Sequence, residues 1–230
     1  MQDATFRDRA VYLADPDALV LADLHVGRAA SSSVDFPLGE RDDLVDRLEV
    51  LLAHFSPGTV VFAGDVLHDF GSATPEADLV VDALVGTVRD AGAEPFLIAG
   101  NHDPMLASVW DGDLHDAVRL DDGTVVCHGH EEPAERGHRY VFGHDHPTID
   151  VEGSRHPCFL WAPAAYRGGD VLMLPSFTRL AAGVEVNGMT AANFHSPLIT
   201  DADVLHPIVY DAQSQETLEF PPLGRFRSML

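Results

Sequence analysis

Five short stretches of this chain place metal-ligating side chains directly after apolar runs. They are Leu19-Val20-Leu21-Ala22-Asp23-Leu24-His25, Val60-Val61-Phe62-Ala63-Gly64-Asp65, Phe96-Leu97-Ile98-Ala99-Gly100-Asn101-His102-Asp103, Val125-Val126-Cys127-His128-Gly129-His130 and Tyr140-Val141-Phe142-Gly143-His144-Asp145-His146. Oxygen donors from Asp and Asn with imidazole nitrogens, and no thiolate, suit Mn²⁺, Fe, Zn²⁺, Co²⁺ or Ni²⁺. In Asp23-Leu24-His25 and His144-Asp145-His146 the donors stand two apart. On a strand that spacing turns both side chains to one face, where they can grip one ion. A lone D-x-H or GD arises often by chance. The ordered set D-x-H, GD, GNHD, HGH and GHxH does not. Polar side chains at the mouth of a buried strand are also costly unless they are used.

The elements that would carry these motifs can be read around them. Runs of four or five apolar residues rich in Val, Ile and Phe predict strands buried on both faces, and the Gly that follows allows a sharp turn. Open α/β sheets bind ligands beyond the carboxyl ends of their strands, so five such ends point to one shared site. Apolar residues at helical spacing predict helices over 41–55 (Leu44, Leu48, Leu51, Leu52, Phe55) and 75–90 (Ala77, Val81, Leu84, Val85, Val88). Thr74-Pro75 supplies a capping hydroxyl and a first-turn proline for the second of these. From about residue 114 the pattern is mostly strand and turn, with strands expected at 124–128, 139–143, 158–162, 171–175, 207–211 and 216–220. A βαβαβ half followed by a β-rich half predicts an α/β fold: a four-layer αββα sandwich of two packed mixed β-sheets flanked by helices. The expected organisation is one domain over 1–230, with the motifs within 23–146 and a β-rich C-terminal part from about 147.

Composition bounds the setting. The chain has 230 residues, 46% of them hydrophobic, enough for a substantial core. Asp and Glu number 37 against 14 basic residues, all of them Arg, for a net charge of −23. We read this as adaptation to a cytoplasm of molar salt, where a Debye length of about 3 Å screens acidic self-repulsion. No basic stripe of the kind carried by nucleic-acid binders is present. In molar salt that counts for less, because counterion release contributes little there. Cys127 and Cys158 are too few for a disulfide framework, and Cys127 is expected to point into the core. The charged start lacks a signal peptide's apolar run, and no stretch of about 18 apolar residues could span a membrane. The expectation is a soluble cytoplasmic protein.

The five blocks, in this order and undegraded, resemble the signature of the calcineurin-like metallophosphoesterase superfamily. The continuation Leu174-Pro175-Ser176-Phe177 through Gly183, with Pro157-Cys158-Phe159-Leu160-Trp161, resembles a narrower group, the ligase-associated, nuclease-like metallophosphoesterases of bacteria and archaea. That group's LPAF…GG appears here as Leu-Pro-Ser-Phe with a single Gly183. The resemblance implies two divalent ions, Mn²⁺ by preference. Asp23, His25 and His146 would hold one, Asn101, His128 and His144 the second, and Asp65 would bridge them. His102 would contact the phosphate, stabilising charge or protonating the leaving oxygen. Two ions bring four positive charges against two ligand aspartates, so the site stays attractive to phosphate inside an acidic protein. Ions about 3.5–4 Å apart clamp both sides of an in-line displacement.

Around these residues, Asp103 either raises the His102 pKa or caps a following helix. His68 and His130 could line the substrate cleft, and His68 could equally be structural. Arg28 could contact a phosphate or lie on the surface. The loop over 28–40 could border the substrate. His54, His115, His138, His156, His195 and His206 fall in no motif and are expected to be solvated or structural, and Asn193-Phe194-His195-Ser196-Pro197 suggests no mechanism. The expected function is phosphodiester hydrolysis, with DNA in a repair context as substrate. Helicase or ligase partners are implied by the resemblance alone. The alternatives are a small-molecule phosphoesterase acting on cyclic nucleotides or phosphomonoesters, and a non-catalytic scaffold subunit, which lost ligands would support.

Overall fold

The apolar runs become the strands of two stacked sheets in the computed structural model, which describes residues 3–28, 39–68 and 74–228. The first sheet runs β1 (Ala4–Arg7), β2 (Ala10–Leu13), β3 (Ala18–Leu21), β4 (Thr59–Ala63), β5 (Glu94–Ile98) and β6 (Leu114–His115) in that spatial order. The first three strands form an antiparallel meander. From β3 to β6 the neighbours are parallel. Parallel neighbours need long crossovers, and helices α1 (Glu40–Phe55) and α2 (Pro75–Asp90) occupy two of them. Both lie where helical spacing predicts. The Thr74 hydroxyl accepts the Ala77 N–H at 3.2 Å, a cap worth about 1 kcal/mol.

The second sheet takes the order β16 (Glu216–Glu219), β15 (His206–Asp211), β12 (Phe159–Tyr166), β13 (Gly169–Met173), β9 (Arg139–Phe142), β8 (Val125–Cys127) and β7 (Ala117–Arg119). Its centre, β13-β9-β8, is parallel. A small third sheet orders β11 (Ser154–Pro157), β10 (Pro147–Val151) and β14 (Val184–Glu185).

Period-two alternation sorts the side chains into layers. On β3 and β4, Leu19, Leu21, Val60 and Phe62 face the helices. Val20, Val61 and Ala63 face the second sheet, where Val126, Val141 and Leu172 meet them. Cys127 points away, into the core on the far side of that sheet, as its place before a motif histidine predicts. Burial pushes its thiol up to about 12. The layered α/β architecture is therefore present. The fourth layer is thin: Phe194, Leu198, Leu205 and Phe226 cover the far face from loops, a 3₁₀ turn (Ala191–Asn193) and the four-residue helix α3 (Leu223–Phe226). The chain beyond residue 184 thus supplies this covering as well as the edge strands β15 and β16 of the second sheet. Among the described residues, no helix is long and apolar enough to cross a membrane.

The sheets are joined at one edge. Ala22 and Ser176 form a parallel bridge just past β3 and β13. The carboxyl ends of β3, β4, β5, β8 and β9 gather around this edge, and each opens into one of the five motifs.

Candidate metal centre

Beyond β3 and β4 the chain leaves strand geometry. Asp23, His25 and Asp65 adopt φ of 57°, 48° and 46°, and His144 and His146 adopt 79° and 48°. The strand-pleat explanation for paired donors two apart is therefore incorrect. The side chains converge because each lies in a left-handed turn, and the intervening residue is turned elsewhere. Each such residue costs on the order of 1–2 kcal/mol. The backbone recovers part of this by zipping the loops together: Asp23 N–H donates to the Gly64 carbonyl (3.1 Å), His25 N–H to Asp65 (2.9 Å) and Val26 N–H to Val66 (2.8 Å).

Carboxylates fix the remaining loops. Asp23 accepts the His144 N–H at 3.0 Å. Asp65 Oδ1 accepts the His102 N–H at 2.9 Å. Asp103 does something the sequence did not suggest: buried, it accepts the N–H groups of Val66 (3.0 Å), Leu67 (2.7 Å) and Gly100 (2.9 Å) and ties two motif loops together. Both its oxygens are engaged, and the turn after it is a 3₁₀ segment (Leu106–Ser108), not an α-helix. Two motif glycines are required by close approach. A Cβ on Gly100 would sit 2.1 Å from Asp65 Oδ1, and one on Gly143 would sit 2.3 Å from Asp23 Oδ2.

The donor atoms fall into two groups that share Asp65. In the first, His25 Nε2 lies 3.1 Å from His146 Nε2 and 3.9 Å from Asp65 Oδ2, and His146 Nε2 lies 3.5 Å from Asp23 Oδ1. In the second, His128 Nε2 lies 3.0 Å from Asn101 Oδ1, 3.1 Å from His144 Nδ1 and 3.4 Å from Asp65 Oδ1. Asp23-His25-His146 and Asp65-His128-His144 are each compact enough to hold an ion. All seven expected donors meet here. His128 Nδ1 is 3.3 Å from the Ala63 carbonyl, so the proton belongs on Nδ1 and a lone pair on Nε2. That lone pair then faces the lone pairs of Asn101 and Asp65, an arrangement a cation relieves.

The electrostatics agree with this donor set. Burial pulls His25 down to about 3 and His128 to about 4, so both are neutral near pH 7, as ligation requires. Burial also lowers His144. Asp23 is buried, yet His146, His128 and His25 hold it at about 2. Burial resists the charge on His146, but Asp23 outweighs it and raises that imidazole. Burial, then the charge of Asp23, pushes Asp65 up to about 8. A carboxylate so reluctant to ionise at the junction of both groups is what cations are suited to correct.

His102 sits beside Asp65, with Nε2 3.9 Å from Oδ2 and Nδ1 3.2 Å from the His68 carbonyl. The His68 ring stacks parallel to it at 6.3 Å. His130 lies 5.1 Å from the His128 ring and 6.2 Å from that of His144. The charge of Arg28 acts on His25 and His146, which places it near the first group. Its N–H donates to Glu40 at 3.1 Å. Most of the 28–40 loop lies outside the described residues.

Three contributors carried no readable signal. The Ser176 hydroxyl donates to the Asp23 carbonyl at 2.7 Å. Asp145, between the two histidines of its motif, accepts the N–H groups of His195 (2.8 Å) and Ser196 (3.0 Å). His195, expected to be solvated or structural, is exposed, and its ring lies 6.2 Å from that of His144.

A family model described as calcineurin-like phosphoesterase matches residues 17–167. The crystal structure of Pseudomonas putida nuclease MPE is similar over 88% of this chain and 88% of that one, at 25% identity and a TM-score of 0.62. Yfce, a phosphoesterase from E. coli, is similar over 89% of this chain and 98% of its own, at 16% identity and a TM-score of 0.45. No curated protein matches the sequence.

Proposed function

This chain belongs to the calcineurin-like phosphoesterase family and is a metal-dependent phosphoesterase; on that premise we propose that it hydrolyses phosphodiesters, with DNA as the preferred substrate and repair as the setting. The convergence of seven donors into two groups sharing Asp65 carries the reading. Asp23, His25 and His146 would hold one divalent ion and Asn101, His128 and His144 the other, with Asp65 shared between the two donor groups. Mn²⁺ is the proposed metal by family resemblance; the N/O donor set without thiolate accepts it, as it would Fe, Zn²⁺, Co²⁺ or Ni²⁺. When bound, the pair supplies nucleophile activation and charge stabilisation for an in-line displacement at phosphorus.

The protein's own residues do the rest. The His68 carbonyl accepts from His102 Nδ1 and orients the ring, so that Nε2 addresses the phosphate and can protonate the leaving oxygen. Asn101 presents its side-chain carbonyl oxygen to His128 at 3.0 Å and would also contact the substrate. Arg28, His68 and His130 line the approach. The likeness to a protein named as a nuclease favours nucleic acid over small phosphoesters. Helicase and ligase partners, a cytoplasmic location and molar salt belong to the same reading.

A second reading, hydrolysis of cyclic nucleotides or phosphomonoesters, is favoured by the net charge of −23, which repels a polyanion at low salt. The deciding experiment takes Mn²⁺-loaded protein in molar KCl and offers single-stranded DNA, duplex DNA, a cyclic nucleotide and an aryl phosphodiester. DNA cleavage is expected. Turnover of the small substrates alone would overturn the nucleic-acid preference, and failure to take up any divalent metal on titration would overturn the two-ion site.

A further inference from the structure

Among the described residues, two cavities flank the metal centre, and they differ in charge. On the His128 side a cavity of about 240 Å³ is lined by His130 together with Asp116, Glu131, Glu132 and Glu135. On the His146 side a cavity of about 170 Å³ is lined by His146, Arg9, Arg155, Thr148, Ser176 and Gly183, with no carboxylate among the described residues of its wall. In a chain with 37 acidic residues against 14 arginines, a carboxylate-free wall holding two arginines is not what composition alone would give.

The basic cavity has the parts of an anion site. Arg9 donates to the carbonyls of Ser176 and Thr178, and among the described residues no carboxylate forms an ion pair with it. Burial lowers it only to about 10, so it stays cationic at neutral pH. Arg155 is half-exposed and meets Glu185 at 3.1 Å, an exposed pair of the kind worth little and readily exchanged for a phosphate. Thr148 is buried, and its hydroxyl oxygen has no hydrogen-bond partner among the described residues. His146 belongs both to this wall and to the metal centre.

We propose that this cavity is a phosphate subsite that binds the phosphodiester adjacent to the scissile one, so that a nucleic-acid strand leaves the metal centre on the Arg9–Arg155 side and not on the glutamate-lined side. The inference rests on the phosphodiesterase reading and names the substrate's direction. Guanidinium groups recognise phosphate through paired, charge-assisted hydrogen bonds. Such short-range contacts persist at molar salt, where long-range fields are screened.

The test measures kcat/KM of Mn²⁺-loaded wild type and Arg155→Gln on an oligothymidylate, on the same strand with one neutral methylphosphonate linkage on either side of the cleaved bond, and on an aryl phosphodiester. Arg155→Gln should lower the oligothymidylate value about tenfold, the equivalent of one charge-assisted hydrogen bond. The aryl diester should change less than about twofold on the same basis. Neutralising the linkage on one side should cost wild type the same factor and cost the variant nothing further. Neutralising the other side should cost neither. Equal losses on both substrates, or full additivity of the variant and the methylphosphonate, would overturn the subsite. Arg9→Gln should behave likewise, and Arg155→Gln decides the matter if the Arg9 variant does not fold. If wild type cleaves the aryl diester but no oligonucleotide, the nucleic-acid reading fails separately. Calorimetry then reads the subsite: Arg155→Gln should weaken a nucleoside 3′,5′-bisphosphate about tenfold while sparing the 5′-monophosphate. Equal weakening of both would sink it.

Discussion

Asp65 is the residue on which both donor groups depend, and its protonation links the site to the stability of the metal-free protein. Its pKa is raised from the carboxylate range to about 8 by burial and by Asp23. A group raised on folding stabilises at low pH and loses that contribution as pH climbs through the folded value. His25, His128 and His144 are lowered from an ordinary value of 6.5 and take up protons only on unfolding, so they oppose this trend around pH 6.5 and cease to do so only well above it, which leaves Asp65 in control near and above its own value of about 8. The raised His146 acts in the same direction. Thermal melts in excess chelator should therefore show Tm falling from about pH 7.5 to 9, and saturating Mn²⁺ should flatten or reverse the slope. A chelated protein whose Tm rises over that window would contradict the assignment. His102→Ala should slow substrates with poor leaving groups by about 10²-fold or more, the usual range for a lost general acid, and spare an activated aryl diester. Equal loss on both, measured as kcat, would remove the acid role. The donors were legible because their types and order are local in sequence. Ser176 and Asp145 were not, since the partners of Ser176 and Asp145 lie 153 and 50 residues away. A left-handed φ at Asp or His leaves no compositional mark.

The elements show how those residues are held. Helices 40–55 and 75–90 and the long buried strands were readable from period and apolar run. The β1–β2 hairpin and β10–β11 were not: strands of four or five residues carry too little alternation to read, and Ser154–Pro157 is in addition exposed along most of its length. Between the elements, Asp103 is the joint. It satisfies three backbone donors that belong to two motif loops. Asp103→Ala leaves those N–H groups without their acceptor, and buried unsatisfied donors cost about 1–3 kcal/mol each. The expected outcome is a loss of about 3 kcal/mol or more in denaturant unfolding, with weaker Mn²⁺ affinity by calorimetry. Unchanged metal affinity would mean that the loops hold their register without it.

At the scale of the whole molecule, charge decides the conditions of use. A net charge of −23 on 230 residues produces self-repulsion that only screening relieves. Circular dichroism melts should give a Tm that rises steadily from 0.1 M to molar KCl. A Tm independent of salt over that range would refute the adaptation. The composition made that charge legible. It did not reveal the placing of the few arginines, because Arg9 reaches Ser176 across 167 residues of sequence.

The docking of His195 and Ser196 on Asp145 has a consequence in time. Synthesis runs from the N-terminus, so a nascent chain exposes all seven donors, the last at His146, well before it exposes the stretch that anchors the loop between His144 and His146. Strand β13, the parallel neighbour of β9, also emerges after them. The chain on the ribosome thus carries all seven donors before it carries the residues that hold Asp145 and before the strand that flanks β9.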